Sequence, residues 1–313
     1  MNDGDRPRVA LIVSGDPGSP QTWSGIPRGV SLALRELAVA VLALDVTLAP
    51  GAEQALLALG AVLTRNRYDA ESAALTMRVR SSIARRRLRD VHIDGAIQIG
   101  TTFSLPADVG YVTLEDMTLA QARTVHPVFS RMSGAALARW EQYRAELYGR
   151  ARMCAVASHW AADSLGSDYG VPCERVAVVG FGANHPPAAH APERDWQTPR
   201  FLFVGIDWER KGGPLVLPAF SRLRQTHPDA TLDVVGGHPR LGEPGVRGHG
   251  ELSPAHVEER DLLARLYARA TCLVMPSLVE PFGIVHIEAG LAGIPSIGTS
   301  VGGPRDVIGD DGG

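Results

Sequence analysis

The chain has 313 residues, 45% of them hydrophobic and 21% charged, with a formal net charge of −3. This length predicts about two domains with sizeable cores, and the balance excludes both intrinsic disorder and a basic field that would draw the chain to nucleic acid. The three cysteines, Cys154, Cys173 and Cys272, show no CxxC spacing, which excludes a disulfide frame or a cysteine zinc site and reads as small buried residues in a reducing compartment.

The N-terminus passes from a polar tail into a strand at Arg8–Ser14. It carries no signal peptide and no apolar run near the ~20 residues that span a bilayer, so the expected location is cytoplasmic. Short β-rich runs then alternate with Ala/Leu/Arg helical patterns. Further strands are expected at Val39–Val46, Gly95–Ile99, Gly110–Thr113, Met153–Ala157 and Val176–Val179. Helices are expected at Ile26–Leu37, Ala70–Arg89, Ser133–Tyr148 and Ala161–Tyr169. The stretch Asn184–Pro199 is rich in proline and alanine and lacks any period, which reads as a linker. A second series follows, with strands at Arg200–Val204, Ala230–Val235, Ala270–Met275 and Pro295–Gly298, and helices at Gly213–Gln225, Pro254–Ala268 and Phe282–Ala292. The alternation predicts an α/β chain of two Rossmann-like domains, 1–184 and 200–313, joined by a linker at 185–199, with a ligand cleft between them. The last residues, Gly309–Gly313, form a glycine-rich turn. With nothing after it to close the second sheet, the C-terminal domain is expected to be incomplete.

Two segments carry chemistry. Lys211 is the one lysine among 31 Lys and Arg residues. Where arginine has replaced every other generic cation, a surviving lysine suggests a site that needs a compact ammonium rather than a planar guanidinium. It follows an apolar strand and precedes Gly212-Gly213, a place where a loop can meet a phosphate. The second segment runs from Met275 to Gly303, MPSLVEPFGIVHIEAGLAGIPSIGTSVGG. Pro281 suits the first helical position, so the amides of Phe282, Gly283 and Ile284 would point out of a helix N-terminus as an anion site. Glu280 precedes that helix, and Glu288 lies two turns along it, about 12 Å further by helix rise. One carboxylate would sit beside phosphates and the other would reach ribose hydroxyls.

Two glutamates eight positions apart around Pro-Phe-Gly, then GxP and VGG, resemble the donor-site signature of retaining glycosyltransferase family 4, whose fold is GT-B. The run Phe201–Gly213 resembles that family's FVG…KG segment. TWSGIPRGVSLALREL, SHWAADSLGSDYGV and VVGFGAN resemble parts of its first domain more loosely. The resemblance implies a hexosyltransferase that moves a sugar from a nucleotide-diphosphate donor to an acceptor hydroxyl with retention, using no cofactor and no metal. It gives Lys211 the leaving diphosphate, with Gly205 and Arg210 beside it, Glu280 the transferred sugar and Glu288 the ribose. Gly25 would leave room for the donor, and Asp116 would be a polar or catalytic residue over the sugar. The loop Gly248–Leu252, which follows a short strand and includes Gly250 and Leu252, would meet the base. The acceptor would be a carbohydrate, a lipid-linked molecule or a small molecule. Departures exist: Ile206 stands where the family often has arginine, and Pro254 where it often has lysine. An inactive or truncated relative that binds only a nucleotide sugar or a partner is the other reading.

Other features have plainer readings. His286 lies between the glutamates and reads as a packing or surface histidine. His126, His238 and His249 lack metal spacing. The arginines Arg78, Arg80, Arg85, Arg86, Arg87 and Arg89 read as a solvated helix end, with weak peripheral contact to anionic lipid as their functional reading.

Overall fold

The computed structural model describes residues 6–70, 72–184 and 194–309. Most of the expected linker, 185–193, and the final glycine-rich turn from residue 310 lie outside the described residues. The chain divides into two compact units, Met1–Gly180 and Phe181–Gly313.

The first unit runs β1 (Arg8–Val13), α1 (Ile26–Glu36), β2 (Ala40–Asp45), α2 (Pro50–Thr64), α3 (Ala74–Leu88), β3 (Gly95–Ile99), β4 (Tyr111–Glu115), α4 (Leu119–Val125), α5 (Gly134–Arg150), β5 (Met153–Val156), α6 (His159–Tyr169) and β6 (Val176–Val178). Its six strands are ordered β2-β1-β3-β4-β5-β6, and every adjacent pair is parallel. A parallel strand covered on both faces must be apolar throughout, and Ala10 to Val13 in β1 are fully buried. Three helix starts in this unit are fixed by side chains. Thr118 and Gln121 form a reciprocal capping box on α4, and Ser133 and Ser158 cap α5 and α6. Buried Ile12, Phe103, Tyr148 and Leu165 belong to one core cluster.

The second unit runs β7 (Arg200–Val204), α7 (Gly213–Leu223), β8 (Thr231–Val235), β9 (Val246–Gly250), α8 (Val257–Arg269), β10 (Cys272–Val274), α9 (Ile284–Leu291), β11 (Ser296–Ile297) and α10 (Pro304–Ile308). The parallel order is β11-β10-β7-β8-β9. Chain direction across this sheet reverses between β7 and β10, which makes their carboxyl ends its topological switch point. In the first unit the equivalent point lies between β1 and β3.

Three elements were not expected. In α2, Leu59, Val62 and Leu63 are exposed, so apolar residues ring the helix and no polar stripe reveals its period. The others, α4 and α10, are too short to show one. The helix expected from Ala70 begins at Ala74, because Arg67–Asp69 form a 3-10 turn capped by the Asn66 side chain. Asp69 then accepts from the Ser133 amide at 2.9 Å and hydroxyl at 2.6 Å, holding that turn against α5. The expected loop at Gly248 is strand as far as Gly250, where β9 pairs with β8 through a register irregularity.

Candidate functional site

Three loops meet at the switch point of the second sheet. The loop after β7 brings Lys211. Gly205, the first residue past that strand, lies beneath the lysine stem: a Cβ there would stand 2.8 Å from Lys211 Cγ. Gly212 has φ +80 and opens α7. The loop after β10 brings Ser277 and Glu280. The loop after β11 fixes the Glu280 backbone, with the Gly303 amide donating to the Glu280 carbonyl at 3.0 Å. Gly302 pairs with Glu280 as an isolated parallel bridge, at φ +100.

The side chains converge on one oxygen. Lys211 Nζ donates to Glu280 Oε2, and Ser277 Oγ donates to the same atom at 3.2 Å. Arg210 Nη1 lies 3.7 Å from it. Arg210 is itself held by Asp207 Oδ2, 3.3 Å from Nε, and by the Val279 carbonyl, 3.2 Å from Nη1. The Leu278 amide donates to the Arg210 carbonyl at 2.8 Å, tying the two loops together. Glu280 is 5% exposed. Burial pushes the Lys211 ammonium pKa down, Glu280 opposes this, and Arg210 adds to the lowering. The result is a desolvated cation on a flexible stem beside a second cation, able to take an oxyanion.

The helix after Glu280 begins later than expected. Pro281 and Phe282 precede it, and Gly283, at φ +88, is its N-cap. The bridge to Gly302 holds Glu280 in strand pairing, Pro281 and Phe282 bend, and only past the left-handed glycine does the chain turn into α9. The leading helical amides are therefore those of Ile284 and Val285, rather than Phe282 and Gly283. Phe282 is buried, and its ring meets Phe181 edge-on at 5.1 Å.

Glu288, expected to face ribose, is also buried. Its Oε2 accepts from the Tyr267 hydroxyl at 2.8 Å, and its Oε1 from the Asn184 amide at 3.3 Å. Gly250 closes β9, donating its amide to His238 Nε2 at 3.2 Å, and Leu252 packs on a core cluster of this unit. Gly250 thus ends the edge strand, which β8 separates from β7 in the sheet order. Asp116 and Gly25 belong to the first unit. Asp116 follows β4, and Gly25 (φ +80) ends the loop after β1 and caps α1. Trp23 and Ser24 before it also have positive φ, +47 and +53. The Trp23 indole fills the place of a side chain on Gly100, just past β3.

Sequence reasoning missed Ser277, Asp207 and Tyr267, whose bonds depend on loop conformations that no spacing encodes. His286 is 4% exposed, so it is a packing rather than a surface residue. Of the arginine cluster, Arg80 turns inward to Glu53, whereas Arg85, Arg86 and Arg87 are exposed at the end of α3, where positive charge suits the helix dipole. Among the described residues no three His, Cys, Asp or Glu side chains gather as a metal site, and no helix is long and apolar enough to cross a membrane.

Residues 198–313 match the family described as "Glycosyl transferases group 1". A glycogen synthase of Mycobacterium tuberculosis is 32% identical over 155 residues, which is 47% of this chain and 37% of that protein. A D-inositol 3-phosphate glycosyltransferase of Pseudarthrobacter chlorophenolicus is 32% identical over 178 residues, 50% of this chain and 41% of its own length. The chain thus spans about two fifths of these relatives. Among solved structures, sucrose-phosphate synthase from Thermosynechococcus elongatus superposes with a TM-score of 0.63 at 17% identity, covering 96% of this chain and 83% of that one.

Proposed function

From a chain of GT-B fold whose residues 198–313 match the glycosyl transferases group 1, we propose a hexosyltransferase that takes its sugar from a nucleotide-diphosphate donor and retains the anomeric configuration. The supporting observation is the meeting of Lys211 and Glu280 from two loops at the switch point of the second sheet. Open α/β sheets take their ligands outside the carboxyl ends of the strands at this point. The relatives, a glycogen synthase and a D-inositol 3-phosphate glycosyltransferase, support sugar transfer.

In the proposed reaction the bond from the anomeric carbon to the diphosphate breaks as the bond to the acceptor oxygen forms. Both lie on one face of the sugar, and the acceptor proton passes to the leaving phosphate oxygen. Negative charge grows on the diphosphate while the sugar becomes cation-like. Lys211 meets the diphosphate, with Arg210 and the amides that open α9 beside it, a preorganised set worth most where water is excluded. Glu280 holds the sugar. Glu288 reaches the ribose by exchanging the Asn184 amide for a hydroxyl. Asp116 and Gly25 stand on the first unit, and their part in the reaction rests on the resemblance alone.

The test is a donor screen. UDP-, GDP- and ADP-sugars are incubated with the chain, and donor consumption and thermal shift are measured. One donor that both stabilises the protein and is consumed supports the reading. Binding without consumption supports a binding protein instead, and neither effect with any donor overturns both.

A further inference from the structure

His286 takes no part in the grip around Lys211, yet neither of its ring nitrogens has a hydrogen-bond partner. Native interiors rarely leave a polar side chain in that condition, so one that persists calls for a physical reason. As the third residue of α9 it leans back over the helix start, as side chains do in the first turn. Two bare glycines make its space: a Cβ on Gly283 would lie 2.7 Å from the ring Cδ2, and one on Gly298 would lie 3.2 Å from Nε2. Glu280 Cγ comes within 3.3 Å of that same Gly283 position. The imidazole and the carboxylate therefore flank one glycine. A leucine could fill the space; the imidazole brings in addition an N–H with nothing to bind. Burial first, and Lys211 second, hold the ring's pKa down at about 4 against the opposing pull of Glu280. At neutral pH the ring is an uncharged donor.

We propose that His286 is the alternate hydrogen-bond donor to Glu280, engaged when a diphosphate draws the Lys211 ammonium away. This rests on the function proposed above. Glu280 Oε2 now takes Lys211, with Ser277 and Arg210 at longer range. A phosphate competes for the same ammonium. The buried carboxylate would then lose its strongest partner, and breaking one side of a buried pair is costly unless another donor steps in. Rotation of the His286 ring supplies that donor from within the protein, and the buried nitrogens need no path to solvent. The carboxylate stays ionised and aimed at the sugar. His286 is thus a positioning residue that acts through Glu280.

Calorimetric binding of UDP, GDP and ADP to the full chain tests this, with wild type, His286→Gln and His286→Leu compared. His286→Gln keeps an N–H and is expected to bind within about threefold of wild type. His286→Leu fills the space without a donor and is expected to bind about tenfold more weakly, with its urea midpoint unchanged or raised. Any other order, including equal weakening of both variants or none, overturns the role of His286 and leaves the proposed function standing. Wild type binding none of the three defeats the proposed function and this inference with it. The ring 15N shifts of His286 in wild type give a readout that needs no variant to fold. They should move on addition of the nucleoside diphosphate that binds, and unmoved shifts in the complex also overturn the proposal.

Discussion

Lys211 holds its charge in a place that disfavours charge. Burial lowers its pKa and Glu280 works against that, so the ammonium is ready to exchange one anionic partner for another. The site is shaped for a narrow aliphatic stem lying over Gly205. Arginine shares those stem atoms and differs at the tip, where a planar, wider guanidinium would not fit the buried contact that the ammonium makes with Glu280 beside Ser277 and Arg210. Lys211→Arg should therefore lower turnover by about a hundredfold, roughly 3 kcal/mol in the barrier, with the melting temperature little changed. Steady-state rates with the accepted donor, alongside a thermal melt, check this; a rate near wild type would remove Lys211 from the role. The lysine was visible in the sequence because it is alone among 31 basic residues. Ser277 was not, since a serine three positions before a glutamate is unremarkable until the loop folds its hydroxyl back.

At the scale of elements, the start of α9 matters most. Gly283 takes φ +88 as N-cap, with His286 on one side of it and Glu280 on the other. An alanine there would be strained in its backbone and would press on both neighbours. Gly283→Ala should weaken nucleoside diphosphate binding by about tenfold or more and lower stability by about 1–2 kcal/mol. Titration calorimetry and urea unfolding measure the two effects, and a variant unchanged in both would refute the account of this turn. Pro-Phe-Gly announced a helix start, but its position was read two to three residues early. The proline preference for a first helical turn is a local rule, and here the pairing of Glu280 with Gly302 overrides it. Central strands were legible nearly to the residue because they are parallel and buried, which makes them short apolar blocks, whereas the edge strand β9, VRGHG, is polar and part exposed. Helix α2 was not, because its apolar residues surround it.

At the scale of the whole molecule, stability should depend on acidity through His286. Its pKa falls from 6.5 in the unfolded chain to about 4 in the fold, so between those values the unfolded chain binds the proton more readily. The contribution is complete above pH 6.5 and is lost as pH falls toward 4, about 3 kcal/mol in all. Urea unfolding from pH 7 to pH 4 should show this loss in wild type and a shallower slope in His286→Leu; identical slopes would contradict it. The two-unit α/β plan could be read from alternation alone, whereas the closeness of Lys211 and Glu280, 69 positions apart, needed strand order, which no local pattern carries. That order has one more effect. The loops that gather around Glu280 leave β7, β10 and β11, neighbours on one side of the sheet, whereas β8 and β9 form the opposite flank. If the proposed function holds, changes along β9 would alter the surroundings of a nucleobase while leaving the loops that carry Lys211 and Glu280 in place, so donor preference could drift among descendants of this chain with the chemistry retained.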